Sequence, residues 1–76
     1  MDGMITLEKI EEYFLTLKNG EIYRSVIATT ERVLIEKALE RSSGNQLIAS
    51  KMLGLNRNTL RSKIRRLHID MERFKL

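Results

Sequence analysis

The sequence predicts a small all-α domain of four helices, in which the last two form a helix pair joined by a tight turn. Apolar residues recur about every three to four positions along the chain, which is the helical period. No proline interrupts this pattern, and no useful stretch alternates apolar and polar residues as a half-buried strand does. Glycines at positions 20, 44 and 54 divide the pattern into four segments.

The first helix is predicted to run from Leu7 to about Lys18, with Thr6 as its N-cap. Its apolar residues fall on one face: Leu7, Ile10, Phe14 and Leu17. Asn19 and Gly20 then provide a helix stop.

The second helix is predicted from about Glu21 or Ile22 to Arg41, and its apolar surface covers close to half of its circumference. Two adjacent stripes form this surface: Ile22, Val26, Thr29 and Val33, and Tyr23, Ile27, Leu34 and Ala38. That arc is wider than a surface helix needs, so we expect packing on two sides, the second by another copy of the chain. The alternative is a single-chain core with Ile27 and Ala28 partly exposed. The expected dimer interface comprises Ile10, Phe14, Leu17, Ile22, Val26, Ile27, Thr30, Val33 and Leu34.

The third and fourth helices are predicted at 46–53 and at about 57–67, with Asn45 and Asn56 as their N-caps. Gly44 can take the left-handed conformation after the second helix, and Gly54 sits where the turn between the last two helices needs a positive φ. Six residues are expected to pack this pair together: Leu60, Ile64 and Leu67 against Ala49, Leu53 and Leu55. The tail from His68 has no clear stop signal and is expected to fray or to add a turn.

The size and the charge distribution of the chain limit the classes of function that it can have. We expect residues 1–76 to form one domain with a marginal core, which oligomerisation would support. Without cysteine and with His68 as the single histidine, no disulfide, metal site or cofactor is predicted. Residues 1–40 hold eight acidic and five basic residues, whereas residues 41–69 hold seven basic residues and no acidic one. This one-sided charge is typical of a surface that binds a polyanion.

The fourth helix carries the residue types that read DNA. Arg57 stands at its first turn, where a helix entering the major groove presents side chains to base edges. Arginine can bind guanine and asparagine can bind adenine through paired hydrogen bonds. The predicted DNA-binding residues are Asn45, Gln46, Asn56, Arg57, Asn58, Thr59, Arg61, Ser62, Lys63 and Arg65. Simpler interpretations compete for four positions: Asn45 and Asn56 as caps, Arg66 as a partner of the helix dipole, and Lys51 as solvated surface.

Two other classes of function fit the sequence less well. A membrane-binding segment would need Trp, Phe or Leu on the exposed faces of the basic helices, and we expect none there. No apolar run approaches the roughly 20 residues that span a bilayer. An enzyme would need a phosphate-cradling glycine loop or a paired set of catalytic side chains, and Glu11, Glu12 and His68 provide neither.

The segment from about Ile22 to Asp70 resembles the C-terminal DNA-binding domain of NtrC-type sigma-54-dependent activators, and equally the nucleoid protein Fis, whose fold that domain shares. The motif that carries the resemblance is Gly44-Asn45-Gln46, then Ala49, then Leu53 to Arg61 without a gap, then Lys63. Tyr13-Phe14 and Leu17 in the first helix are also similar to Fis.

This resemblance implies a symmetric dimer in which the helices of residues 6–41 interlock and residues 45–67 form a helix-turn-helix. Asn56 and Arg57 would reach base edges. The residues that would mainly hold the DNA backbone are Asn45, Gln46, Thr59, Arg61 and Lys63. The implied partner is an enhancer-type, pseudo-palindromic DNA duplex, bound in the bacterial cytoplasm at the nucleoid. Leu47 and Ile48 stand where the family often has polar or basic residues, and Ser62 stands where lysine is common.

Two roles within this family stay open. As an activator domain, the chain would be covalently linked to ATPase and receiver domains and would direct them to enhancer sites. As a stand-alone Fis-like protein, it would bend DNA with relaxed selectivity, and we would expect a further N-terminal arm before the first helix. Because this sequence has no such arm, we expect the activator domain.

Overall fold

The computed structural model describes residues 5–75, so the first four residues and residue 76 of the expected domain lie outside it. Four α-helices follow one another: Leu7–Thr16 (α1), Ile22–Arg41 (α2), Gln46–Leu53 (α3) and Arg57–Arg66 (α4). A 3₁₀ turn, Met71–Phe74, follows α4. No strand occurs among the described residues, and the predicted all-α class is confirmed. The chain divides into two compact units, one ending at Val33 and the other beginning at Leu34.

The first unit contains α1 and the first part of α2. The hydroxyl of Thr6 accepts a hydrogen bond from the N–H of Lys9 at 3.2 Å, which confirms the predicted N-cap. The helix ends at Thr16, earlier than predicted. The Thr16 hydroxyl donates to the carbonyl of Glu12 at 2.9 Å, and Leu17 is already extended. The early end coincides with a side-chain bond of a kind that weakens a helix slightly.

None of residues 5–33 is buried within the single chain. The hydroxyls of Tyr13 on α1 and Thr29 on α2 lie 3.4 Å apart, so the two helices are in contact. Large apolar side chains of this unit nevertheless stay exposed, including Leu7 at 75% and Phe14 at 64%. The apolar surface of the first unit is therefore only partly covered by the described part of the same chain.

The second unit has a true core, built from the last part of α2, from α3 and α4, and from the tail. Its buried apolar residues are Ile35, Ala38, Leu39, Ala49, Leu60, Ile64, Leu67, Ile69 and Phe74. The predicted inward positions on α4 are confirmed, and Leu53 and Leu55 are half-buried. The contribution of Ile69 and Phe74 was not predicted, because no helical period marks the tail.

Helices α2, α3 and α4 end in the same way. A left-handed residue follows the helix, and the N–H of the next residue bonds to the carbonyl five positions earlier, as in a Schellman motif. The left-handed residues are Ser43 at φ 53°, Gly54 at 74° and His68 at 56°. The corresponding bonds measure 2.8 Å from Gly44, 2.9 Å from Leu55 and 3.1 Å from Ile69. The positive φ predicted for Gly44 and Gly54 is confirmed, whereas Ser43 and His68 take this role without being glycine.

Gly44 also lies against the backbone of the tail. A Cβ atom at this position would sit 3.0 Å from the carbonyl oxygen of Phe74, whereas one at Gly54 would meet nothing within 4 Å. Both glycines have positive φ, so an alanine at either costs about 1–2 kcal/mol of backbone strain. We expect Gly44→Ala to lose a further 1–3 kcal/mol or so through overpacking. Urea unfolding of both variants at one protein concentration tests this, and equal losses would contradict it.

Candidate nucleic-acid interface

The helix pair α3–α4 is held by small and apolar side chains. Ala49 and Leu60 are fully buried, and Ser50 is 2% exposed. The Ser50 hydroxyl donates to the carbonyl of Leu47 at 2.7 Å, so its burial leaves no unsatisfied polar group. Because α4 is also anchored through the buried Ile64, its opposite face is presented to solvent.

The two predicted N-caps are confirmed. Asn45 Oδ1 accepts from the N–H of Ile48 at 3.0 Å, and Asn56 Oδ1 accepts from the N–H of Asn58 at 2.8 Å. The cap uses only the oxygen of each side chain. Both residues are exposed, so the Nδ2 group of each can still donate to a ligand.

All of the predicted DNA-binding residues lie in the second unit, within residues 45–65. Gln46 and Lys63 are half-buried, and the others are exposed: Asn45, Asn56, Arg57, Asn58, Thr59, Arg61, Ser62 and Arg65. Arg57, Arg61 and Arg65 recur at intervals of four, which places neighbouring guanidinium groups along one side of α4.

This arginine row is not neutralised by the described part of the chain. Arg57, Arg61 and Arg65 form no ion pair with any of residues 5–75. Four glutamates elsewhere are paired, in the bridges Lys9–Glu12, Lys37–Glu40, Arg73–Glu36 and Lys75–Glu72. The exposed face of α4 therefore offers positive charge to an external anion.

A recess of about 510 Å³ lies between the start of α3 and the first turns of α4. Its lining joins residues from both helices: Asn45, Gln46, Leu47, Arg57 and Arg61. The first N–H groups of α3 have no acceptor within their own helix. The side chain of Asn45 accepts from one of them, the N–H of Ile48. The recess thus combines hydrogen-bond donors with two guanidinium groups, a combination that suits a phosphate or a base edge.

One expectation about this surface is wrong. The basic helices were expected to expose no leucine, yet Leu47 on α3 is 46% exposed, beside Ile48 at 48% and Met52 at 52%. These side chains lie on the side of α3 that does not face the core, opposite the buried Ala49 and Ser50. Their apolar character follows from the sequence, but their exposure depends on which side of α3 packs on α4.

In residues 5–75, no helix has the length and apolar content required to cross a membrane. Over the same range, no three His, Cys, Asp or Glu side chains come together where they could hold a metal ion.

Comparison with known proteins identifies one family whose members resemble this chain. The family model described as "Bacterial regulatory protein, Fis family" matches residues 26–67. This range includes most of α2 and the whole helix pair with its recess. No solved structure matches the chain.

Individual relatives fall into two groups. The chain is 44% identical over 68 residues to "DNA-binding transcriptional regulator NtrC" of Azospirillum brasilense, which covers 84% of this chain and 14% of that protein. It is 43% identical over 60 residues to a "Putative Fis-like DNA-binding protein" of Neisseria meningitidis serogroup A, with 75% of this chain and 76% of that protein covered. The chain therefore spans a small part of the NtrC regulators and most of the Fis-like protein. The match of the family model, together with these identities, shows that the chain belongs to the Fis family of bacterial regulatory proteins.

Proposed function

We propose that this chain binds double-stranded DNA selectively as a homodimer, and that it is the DNA-binding domain of a bacterial sigma-54-dependent activator of the NtrC type. The observation that carries the DNA-binding proposal is the arginine row on α4, which forms no ion pair within residues 5–75 and lies on a helix anchored by buried Leu60 and Ile64. The names of the NtrC and Fis-like relatives agree with it. In this proposal the chain itself is not catalytic, and it acts at the bacterial nucleoid.

The proposed complex places α4 in the major groove. Arg57, in its first turn, reads a base edge, and the Nδ2 group of Asn56 assists while its oxygen continues to cap the helix. The remaining predicted residues hold phosphates or neighbouring base edges: Asn45, Gln46, Asn58, Thr59, Arg61, Ser62, Lys63 and Arg65. Phosphate contacts would supply salt-dependent affinity, and base contacts would supply selectivity.

Homodimerisation is supported by the exposure of apolar residues in the first unit and at Leu34, the first residue of the second unit. The predicted interface residues are not buried in the single chain: Phe14, Ile27 and Leu34 are 64%, 41% and 54% exposed. Half-buried residues complete the set: Ile10, Leu17, Ile22, Val26, Thr30 and Val33. A symmetric partner would cover this surface and would match two half-sites of a pseudo-palindromic duplex.

A second candidate function is that of a stand-alone Fis-like DNA-bending protein. The coverage of 76% of the Neisseria protein favours it, because a similar region there makes up most of the protein. The NtrC relatives favour the activator, in which ATPase and receiver domains would be linked to this region. The coding region that precedes this sequence in its native gene decides between them: an in-frame ATPase module supports the activator, and a stop codon supports the Fis-like protein.

Selection of binding sites from random duplexes at two ionic strengths tests DNA binding and supplies a cognate duplex. On that duplex, Arg57→Ala is expected to cost about 1–3 kcal/mol and to relax the base preference at one position. Lys51→Ala is the matched control, because it also removes one exposed charge from the helix pair but no predicted contact. An equal loss on cognate and unrelated duplexes would make Arg57 a phosphate contact. No binding to any duplex in dilute buffer would refute the function.

A further inference from the structure

The recess contains one side chain that the proposed function does not use. Leu47 lines it together with Arg57 and Arg61, and nearly half of its surface is exposed. An isobutyl group has neither charge nor hydrogen-bonding capacity, so it cannot hold a phosphate. An apolar side chain that is exposed within a cationic recess is suited to contact an apolar group on the ligand.

Duplex DNA offers one such group on its major-groove base edges, the C5-methyl of thymine. The other groups along that edge are hydrogen-bond donors and acceptors, which Arg57 and its polar neighbours can satisfy. A recess of about 510 Å³ falls in the size range that admits a small ligand, so it can take in a base edge. The combination of two guanidinium groups with one leucine fits a thymine that lies beside the base read by Arg57.

We propose that Leu47 is a specificity-determining residue, which packs against the methyl group of a thymine in the bound duplex. The proposal rests on the proposed function, since it requires α4 to lie in the major groove. Ile48 and Met52 are as exposed as Leu47 but do not line the recess. The proposal therefore assigns the thymine preference to Leu47 and not to the apolar side chains of α3 in general.

Replacement of thymine by deoxyuridine removes this methyl group and changes nothing else on the base edge. Each thymine of the selected duplex is replaced in turn. At one position in each half-site, the affinity of the 76-residue wild-type chain is expected to fall about fourfold. This is the effect expected when one methyl group is removed from an apolar contact. Leu47→Ala is expected to bind the thymine and deoxyuridine duplexes equally. Ile48→Ala, the matched control on the neighbouring exposed position, is expected to keep the fourfold difference.

The two variants should fold, because both positions are exposed and alanine favours a helix. Circular dichroism confirms this before the titrations. A wild-type chain that is insensitive to every replacement, or a sensitivity that persists in Leu47→Ala, would overturn the proposal. These results differ from a failure of DNA binding itself, in which the wild-type chain would bind no duplex at all.

Discussion

Leu34→Asp is expected to convert the proposed dimer into monomers. Leu34 lies in the middle of α2, and 54% of its surface is exposed in the single chain. In a symmetric dimer, the substitution would bury two unpaired carboxylates at one interface. A buried charge that has no partner costs about 3–5 kcal/mol. This cost corresponds to a weakening of the dimer by more than about 100-fold. Sedimentation equilibrium measures this change directly.

Met52→Asp is the matched control for this experiment. Met52 is exposed to the same extent, at 52%, and also lies in a helix, but it is outside the predicted interface. It is expected to leave the dimer intact. A wild-type chain that sediments as a monomer would refute homodimerisation, and an intact Leu34→Asp dimer would place the interface elsewhere.

The monomer produced by Leu34→Asp should also be only partly folded. None of residues 5–33 is buried in the single chain, so α1 and the first part of α2 have little packing to offset their loss of conformational entropy. Isolated helices of about this length are marginal in water. We therefore expect the far-ultraviolet helical signal to fall while the core that contains Leu39 and Leu60 persists.

The helix pair could be predicted from the sequence because local chemistry determines its boundaries. Asn45 and Asn56 have the short polar side chains that caps require, and Gly54 has the freedom that a left-handed turn requires. The structure confirms all three, together with the bounds of α3. The apolar spacing on α4 was equally informative, since Leu60 and Ile64 are buried as predicted.

Features that depend on tertiary contacts could not be predicted from the sequence. Ser43 and His68 adopt positive φ without being glycine, so their turns carry no compositional signal. The recess requires the packing of α3 on α4, which fixes the side of α3 on which Leu47 lies. In the tail, Ile69 and Phe74 are apolar among charged residues, and this contrast was the one available sign that they join the core.

Phe74→Ala is expected to lower the free energy of unfolding by about 3–5 kcal/mol, the usual cost of truncating a buried phenylalanine. Phe74 is 8% exposed, although it stands two residues from the end of the sequence. A domain of this size rarely has more than roughly 3–5 kcal/mol from its own core, so the second unit should unfold in large part. Thermal unfolding followed by circular dichroism, at one protein concentration, measures the loss.

Arg73→Ala separates this packing effect from the surface interactions of the same turn. Arg73 pairs with Glu36 at 3.0 Å, and its guanidinium lies 5.2 Å from the centre of the Phe74 ring. Because the Arg73 side chain is 58% exposed, solvent screens the ion pair, and its loss should cost no more than about 1 kcal/mol. Equal, small losses in both variants would show that the tail only covers the surface. A large loss confined to Phe74→Ala would show that the tail completes the core on which α4 is held.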